Sequence, residues 1–88
     1  MVYFEAKDKY TFLHTCDHQH IIDCTLADLE GKLDTSNFIR IHRSSIINVK
    51  FIHELVKWFG GKYKVRLKDK NQTELIVSRG YVDQIQKL

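Results

Sequence analysis

The sequence contains no proline, only four glycines, and one tryptophan and one methionine among its 88 residues. No linker, internal repeat or low-complexity run breaks it, so intrinsic disorder and a multidomain layout are poor descriptions, and residues 1–88 read as one domain. Cysteine is scarce. Cys16 and Cys24 are too few for a secreted disulfide scaffold, and a reducing compartment with free thiols is expected. No stretch approaches the roughly 20 apolar residues of a membrane helix. The start, Met1-Val2-Tyr3-Phe4-Glu5, lacks the basic-then-apolar pattern of a signal peptide, so the chain reads as cytoplasmic. An excess of one charge is also missing: 14 Lys+Arg against 11 Asp+Glu leave +3, which permits a nucleic-acid partner without requiring one. A domain of this size buries only roughly 60 to 65% of its unfolded surface, so a deep substrate cavity would compete with the core. A large enzyme is not expected on that ground.

What is present is mostly strand-forming. Val2 to Ala6 predicts a first short strand, and Lys7-Asp8-Lys9 a charged turn. Tyr10 to Thr15 and His20 to Asp23 predict a hairpin about Asp17-His18-Gln19. Leu26, Leu29 and Leu33 recur at helical spacing, with Thr25 and Asp28 placed as a capping box, which predicts a helix of about two turns. Phe38 to His42 begins another strand, which Ser44-Ser45 interrupts. Ile46 to Val49 and Phe51 to Lys57 read as further apolar strands, and Gly60-Gly61 as a turn. After it, Tyr63, Val65 and Leu67 alternate with Lys62, Lys64, Arg66 and Lys68, a strand with a basic outer face. A turn at Asp69-Lys70-Asn71 leads to a last strand over Glu74 to Val77, and Ser78 is placed to cap a terminal helix carrying Tyr81, Val82, Ile85 and Leu88.

The densest polar cluster is Arg40-Ile41-His42-Arg43-Ser44-Ser45. Its guanidinium groups and hydroxyls suit phosphate oxygens and guanine edges, and equally a solvated strand end with one structural arginine. The row Lys62, Lys64, Arg66, Lys68 reads more simply as a solubilising strand face. Arg79 follows Ser78 where a side chain points off the end of a sheet. Two other functions compete with nucleic-acid binding. Cys16, His18, His20 and Cys24 carry metal-ligating groups, but at a spacing foreign to standard zinc sites and broken by the hairpin. Trp58-Phe59 at a hairpin tip suits either packing or a protein-interaction patch. His42 beside Ser44 and Ser45 lacks an orienting third group for catalysis, and no glycine-rich phosphate loop occurs.

The order of features resembles a known family. Tyr3-Phe4-Glu5-Ala6, Lys9-Tyr10, Leu26-Leu29-Leu33, the string Phe38-x-Arg40-x-His42-Arg43-Ser44-x-x-x-Asn48, and Val77-Ser78-Arg79 together look like a LytTR DNA-binding domain, from Val2 to about Leu88. Such domains are output modules of many bacterial two-component response regulators. The family usually has one further strand before the Tyr-Phe-Glu-Ala segment, so the resemblance predicts a first sheet trimmed by a strand. It implies a mainly β fold: small antiparallel sheets stacked as an elongated sandwich, with one short central helix and a short C-terminal helix. It also implies sequence-specific binding of double-stranded promoter DNA by loops entering successive major grooves, with no enzyme activity, no cofactor and no metal. By position, Tyr10, Arg43 and Arg79 are the expected base contacts. Lys7, Lys9, Arg40, Ser44 and Ser45 are the expected phosphate contacts, and His42 and Asn48 the expected loop organisers. Direct-repeat sites, a dimer on DNA and an attached receiver or other sensory domain are the expected partners.

Overall fold

The computed structural model of the chain describes residues 2–70 and 72–86. Along them run β1 (Tyr3–Lys7), β2 (Tyr10–His14), β3 (Gln19–Ile22), α1 (Leu26–Lys32), β4 (Phe38–His42), β5 (Ser45–Asn48), β6 (Ile52–Lys57), β7 (Tyr63–Leu67), β8 (Glu74–Val77) and α2 (Val82–Gln86). All strand pairs are antiparallel. They form a five-stranded sheet of order β3-β2-β1-β5-β4 and a three-stranded sheet of order β6-β7-β8. The mainly β class and the two short helices are as expected.

Strand alternation explains how both faces of the larger sheet are used. Ile46 and Ile47 are adjacent in β5 and point to opposite faces, and each is at most 2% exposed. Ile47 joins Val2, Tyr3, Ile41, Val65, Leu67, Val77, Val82 and Ile85 in the core between the sheets and α2. Ile46 joins Phe4, Leu26 and Leu29 beneath α1. An apolar doublet therefore marks a strand covered on both sides. Each such isoleucine contributes about 1.5 to 3 kcal/mol by leaving water.

Helix α1 is short, and its start is fixed as the sequence predicted. The Thr25 hydroxyl accepts from the Asp28 amide at 3.1 Å, and the Asp28 carboxylate accepts from the Thr25 amide at 3.2 Å. Leu26 and Leu29 face the sheet, which leaves Glu30 on the exposed flank.

Three expectations change. The apolar run from Ile46 to Lys57 is not two simple strands, because the Asn48 side chain accepts from the Lys50 amide at 3.0 Å and caps a 3-10 turn over Val49–Phe51. Ser78 makes no side-chain cap and precedes a 3-10 turn at Arg79–Tyr81 instead of α2; its amide donates to the Ile41 carbonyl at 2.9 Å and so ties β8 to β4. Tyr81 thus lies ahead of the helix that buries Val82 and Ile85. Leu88 and Asn71, expected in the terminal helix and in a turn, lie outside the described residues.

Candidate nucleic-acid interface

Strands β1 and β2 pair Lys7 with Tyr10, leaving only Asp8 and Lys9 to turn the chain. Both have positive φ, 52° and 72°, the pattern of a type I′ hairpin turn that matches strand twist. Lysine is an uncommon residue in that conformation. The tight turn lifts Lys7, Lys9 and Tyr10 into solvent, with Tyr10 57% exposed.

The β4–β5 turn stands beside it, because the Ala6 amide donates to the Ser44 carbonyl at 2.9 Å. A register shift between Arg40 and His42 re-aims the strand end, so that His42 faces Ser45 across the ladder. His42 then bonds within the turn. Its Nδ1 accepts from the Ser44 amide at 3.1 Å and lies 2.9 Å from the Ser44 hydroxyl. Burial first, and then the positive charges of Arg43, Lys62 and Arg40, hold its pKa below the ordinary imidazole value. The neutral ring is the form that can accept from the amide.

Arg40 is occupied on every side. It shares the α1 face of the sheet, and its guanidinium meets the Glu30 carboxylate, donates to the His42 carbonyl at 2.8 Å and reaches the Arg43 carbonyl. Ser45 is 7% exposed inside β5. Arg43, in contrast, projects from the turn into solvent.

Arg79 follows the Ser78–Ile41 link at the end of β8 and is exposed. Its aliphatic stem runs against Gly61 in the turn between β6 and β7, where an added Cβ would lie 3.1 Å from Arg79 Cδ. Gly60 and Gly61 both have positive φ, 72° and 76°, so this turn requires glycine. A cleft of about 450 Å³ gathers the first two turns, with Lys7, Lys9, Tyr10, Arg40 and Arg43 on its walls. The cleft joins the first two turns, and the Ser78–Ile41 link carries the Arg79 segment to the same end of β4. Asn48 sits apart, its described side-chain bond serving the 3-10 turn, not the β4–β5 turn.

The basic row on β7 divides. Register sets Arg66 opposite both Glu54 and Glu74, and its guanidinium reaches Glu74 at 3.1 Å and Glu54 at 3.8 Å. Lys64 pairs with Glu74 at 3.2 Å and lies 4.2 Å from the Trp58 ring centre. Those two cations serve the sheet. Lys62, just before the strand, and Lys68, just after it, are exposed, with no carboxylate partner among the described residues. The period-two pattern carried no sign of this split, since only cross-strand register shows which cations meet a carboxylate.

The competing sites look different in three dimensions. Cys16 and Cys24 are free thiols. The His18 and His20 rings lie 6.1 Å apart, and among the described residues no three potential ligands converge on a metal position. Phe59 is 75% exposed beside Trp58, their rings 4.6 Å apart. Among the described residues no helix is long and apolar enough to cross a membrane.

Comparison with known proteins agrees with this geometry. A solved LytTr DNA-binding domain from Bacillus cereus superposes with a TM-score of 0.90 at 29% identity, over 98% of this chain and 77% of that one. The sensory transduction protein LytT of Bacillus subtilis is 35% identical over 88 residues, all of this chain and 36% of that protein. The transcriptional regulatory protein YpdB of Escherichia coli K12 is 36% identical over 86 residues, 98% of this chain and 35% of that protein. The haem-containing CO-sensing transcriptional regulator RcoM 1 of Paraburkholderia xenovorans is 35% identical, over all of this chain and 33% of that protein. The chain therefore spans about a third of the length of these curated relatives. The family model for the LytTr DNA-binding domain matches residues 1–88, and with the sheet order and the exposed basic turns already described, it establishes that this chain belongs to the LytTr DNA-binding domain family.

Proposed function

We propose that this chain binds double-stranded DNA sequence-specifically and regulates transcription, with the β1–β2 turn, the β4–β5 turn and the β8 end as its contact elements. The observation that carries this is the convergence of Lys7, Lys9, Tyr10, Arg43 and Arg79, all exposed, on one edge of the fold. Membership of a family named for DNA binding supports it. Arg43 and Arg79 are the base readers, since a planar guanidinium can pair with N7 and O6 of guanine. Tyr10 accompanies them. Lys7, Lys9 and the Ser44 hydroxyl position the phosphate backbone.

Arg40 and Ser45, expected among the phosphate contacts, are reassigned to the framework: one is spent on Glu30 and two carbonyls, the other is buried in β5. Contact with successive major grooves on one side of a duplex is part of this reading. A module of this size makes few base contacts, so two copies on direct repeats bind far better than one. In its full-length setting the domain works in the cytoplasm, joined to a receiver or other sensory domain, as the names of its relatives suggest.

Selection of duplexes from a random pool tests this reading. Arg43→Ala and Arg79→Ala are each expected to cost about 1 to 3 kcal/mol and to relax preference at different base pairs. Base preference unchanged in both variants would remove readout from these turns.

A further inference from the structure

We propose that the β6–β7 turn is a further element of the DNA-contact edge, with Lys62 binding a backbone phosphate. The inference rests on the DNA-binding reading above and adds a contact outside the three elements expected from the sequence.

Placement is the first argument. The turn's Gly61 backbone lies against the stem of Arg79, so Lys62, the next residue, leaves the chain alongside a proposed base reader. On its other side Lys62 is close enough for its charge to act on His42 in the β4–β5 turn. The turn itself is closed by the Trp58 amide donating to the Lys62 carbonyl at 2.9 Å, which holds the Lys62 backbone firmly.

Charge is the second argument. Where a cation of this hairpin serves the fold it meets a carboxylate: Lys64 has Glu74, and Arg66 has Glu74 and Glu54. Lys62 and Lys68 meet none among the described residues, and of the two it is Lys62 that follows the Gly61–Arg79 contact and neighbours His42, on which the acting charges are Arg43, Lys62 and Arg40, all cationic. Holding Arg43, Lys62 and Arg79 together without a counter-ion is self-repulsive, and a polyanion laid along the edge relieves it. A lysine ammonium is a compact point charge on a flexible stem, suited to a phosphate more than to a base edge. Its contribution is therefore indifferent to sequence.

The test measures dissociation constants of the whole chain for a duplex selected by the wild type and for an unrelated duplex, across a salt series. Lys62→Ala is expected to weaken both by a similar several-fold factor and to lower the slope of log K against log salt by about 1. Lys62→Arg, which keeps the charge, is expected to restore the slope. Lys70→Ala, at the opposite end of the fold beside Cys16, Asp17 and His18, is expected to change neither. Wild-type slope and affinity in Lys62→Ala would overturn the contact while leaving the other turns as the interface. A wild-type chain that binds no duplex at any salt would overturn the DNA-binding reading, and this inference with it.

Discussion

Lys9 occupies a backbone conformation that costs an ordinary L-residue about 1 to 2 kcal/mol, at φ 72° in the β1–β2 turn. Strain of this kind persists where a side chain is useful. Lys9→Gly removes it at some entropic cost in the unfolded chain, and a net gain of about 0.5 to 1 kcal/mol in urea unfolding is expected. The same variant should bind DNA less tightly on every sequence. A variant that gains stability without losing affinity would show that Lys9 makes no phosphate contact. His42 gives the residue scale its pH dependence. Its folded pKa lies below the ordinary value of about 6.5, so the unfolded chain takes up a proton more readily than the folded one. The stability carried by the neutral ring is complete above that value and is lost as pH falls from it through the lower folded value. The depressed carboxyls of Asp28, Asp34 and Glu74, held down by hydrogen bonds to Thr25, Ser36 and Arg66, add losses in the same direction at lower pH. The urea midpoint should therefore begin to drop on acidification from pH 7, and His42→Gln should flatten the first part of that drop. A wild-type midpoint constant from pH 7 to 5 would contradict the assigned role of the imidazole.

At the scale of elements, α1 and the β4–β5 turn are joined by Arg40, which reaches Glu30 from one side and two turn carbonyls from the other. Arg40→Ala is expected to cost about 1.5 to 3 kcal/mol of stability through lost charged hydrogen bonds. DNA affinity should fall with it, because Arg43 loses its platform. The salt slope should stay at the wild-type value, and a decrease of about 1 would return Arg40 to a phosphate. These elements differ in how plainly the sequence announced them. Helix α1 was legible because its signals are local: leucines at helical spacing and a Thr25/Asp28 capping box. The strands were legible from alternation and β-branched composition. The 3-10 turn at Val49–Phe51 was hidden inside an apolar run, since one Asn48 side-chain bond decides it. The occupation of Arg40 and the division of Lys62 from Lys64 and Arg66 were hidden for another reason. Both depend on which carboxylate a distant segment brings opposite, and that is set by sheet register and helix docking. Arg43 and Arg79 stood out from local sequence, whereas Gly61 against Arg79 is visible only once β8 and the β6–β7 turn are folded together.

For the molecule as a whole, a net charge of +3 understates its polarity. Lys7, Lys9, Arg43, Lys62 and Arg79 lie along one edge, while the opposite end, built from the β2–β3 and β7–β8 connections, carries Asp17 and Asp69. There Tyr3 stacks on His14 with ring centres 4.1 Å apart, and burial, followed by the charges of Glu5 and Asp69, pushes its hydroxyl pKa up to about 12. That end sets Asp17 and Asp69 beside Lys68 and Lys70, so its charges offset one another, unlike the run of cations on the other edge. A short duplex chosen by selection, titrated into the isotope-labelled chain and followed by amide chemical shifts, tests the polarity of the fold directly. The shifts are expected to concentrate at Lys9, Arg43, Lys62 and Arg79 and to diminish with added salt, leaving His18 and Lys70 unmoved. Shifts centred on His18 and Lys70, or a response indifferent to salt, would contradict the assignment of this edge to DNA.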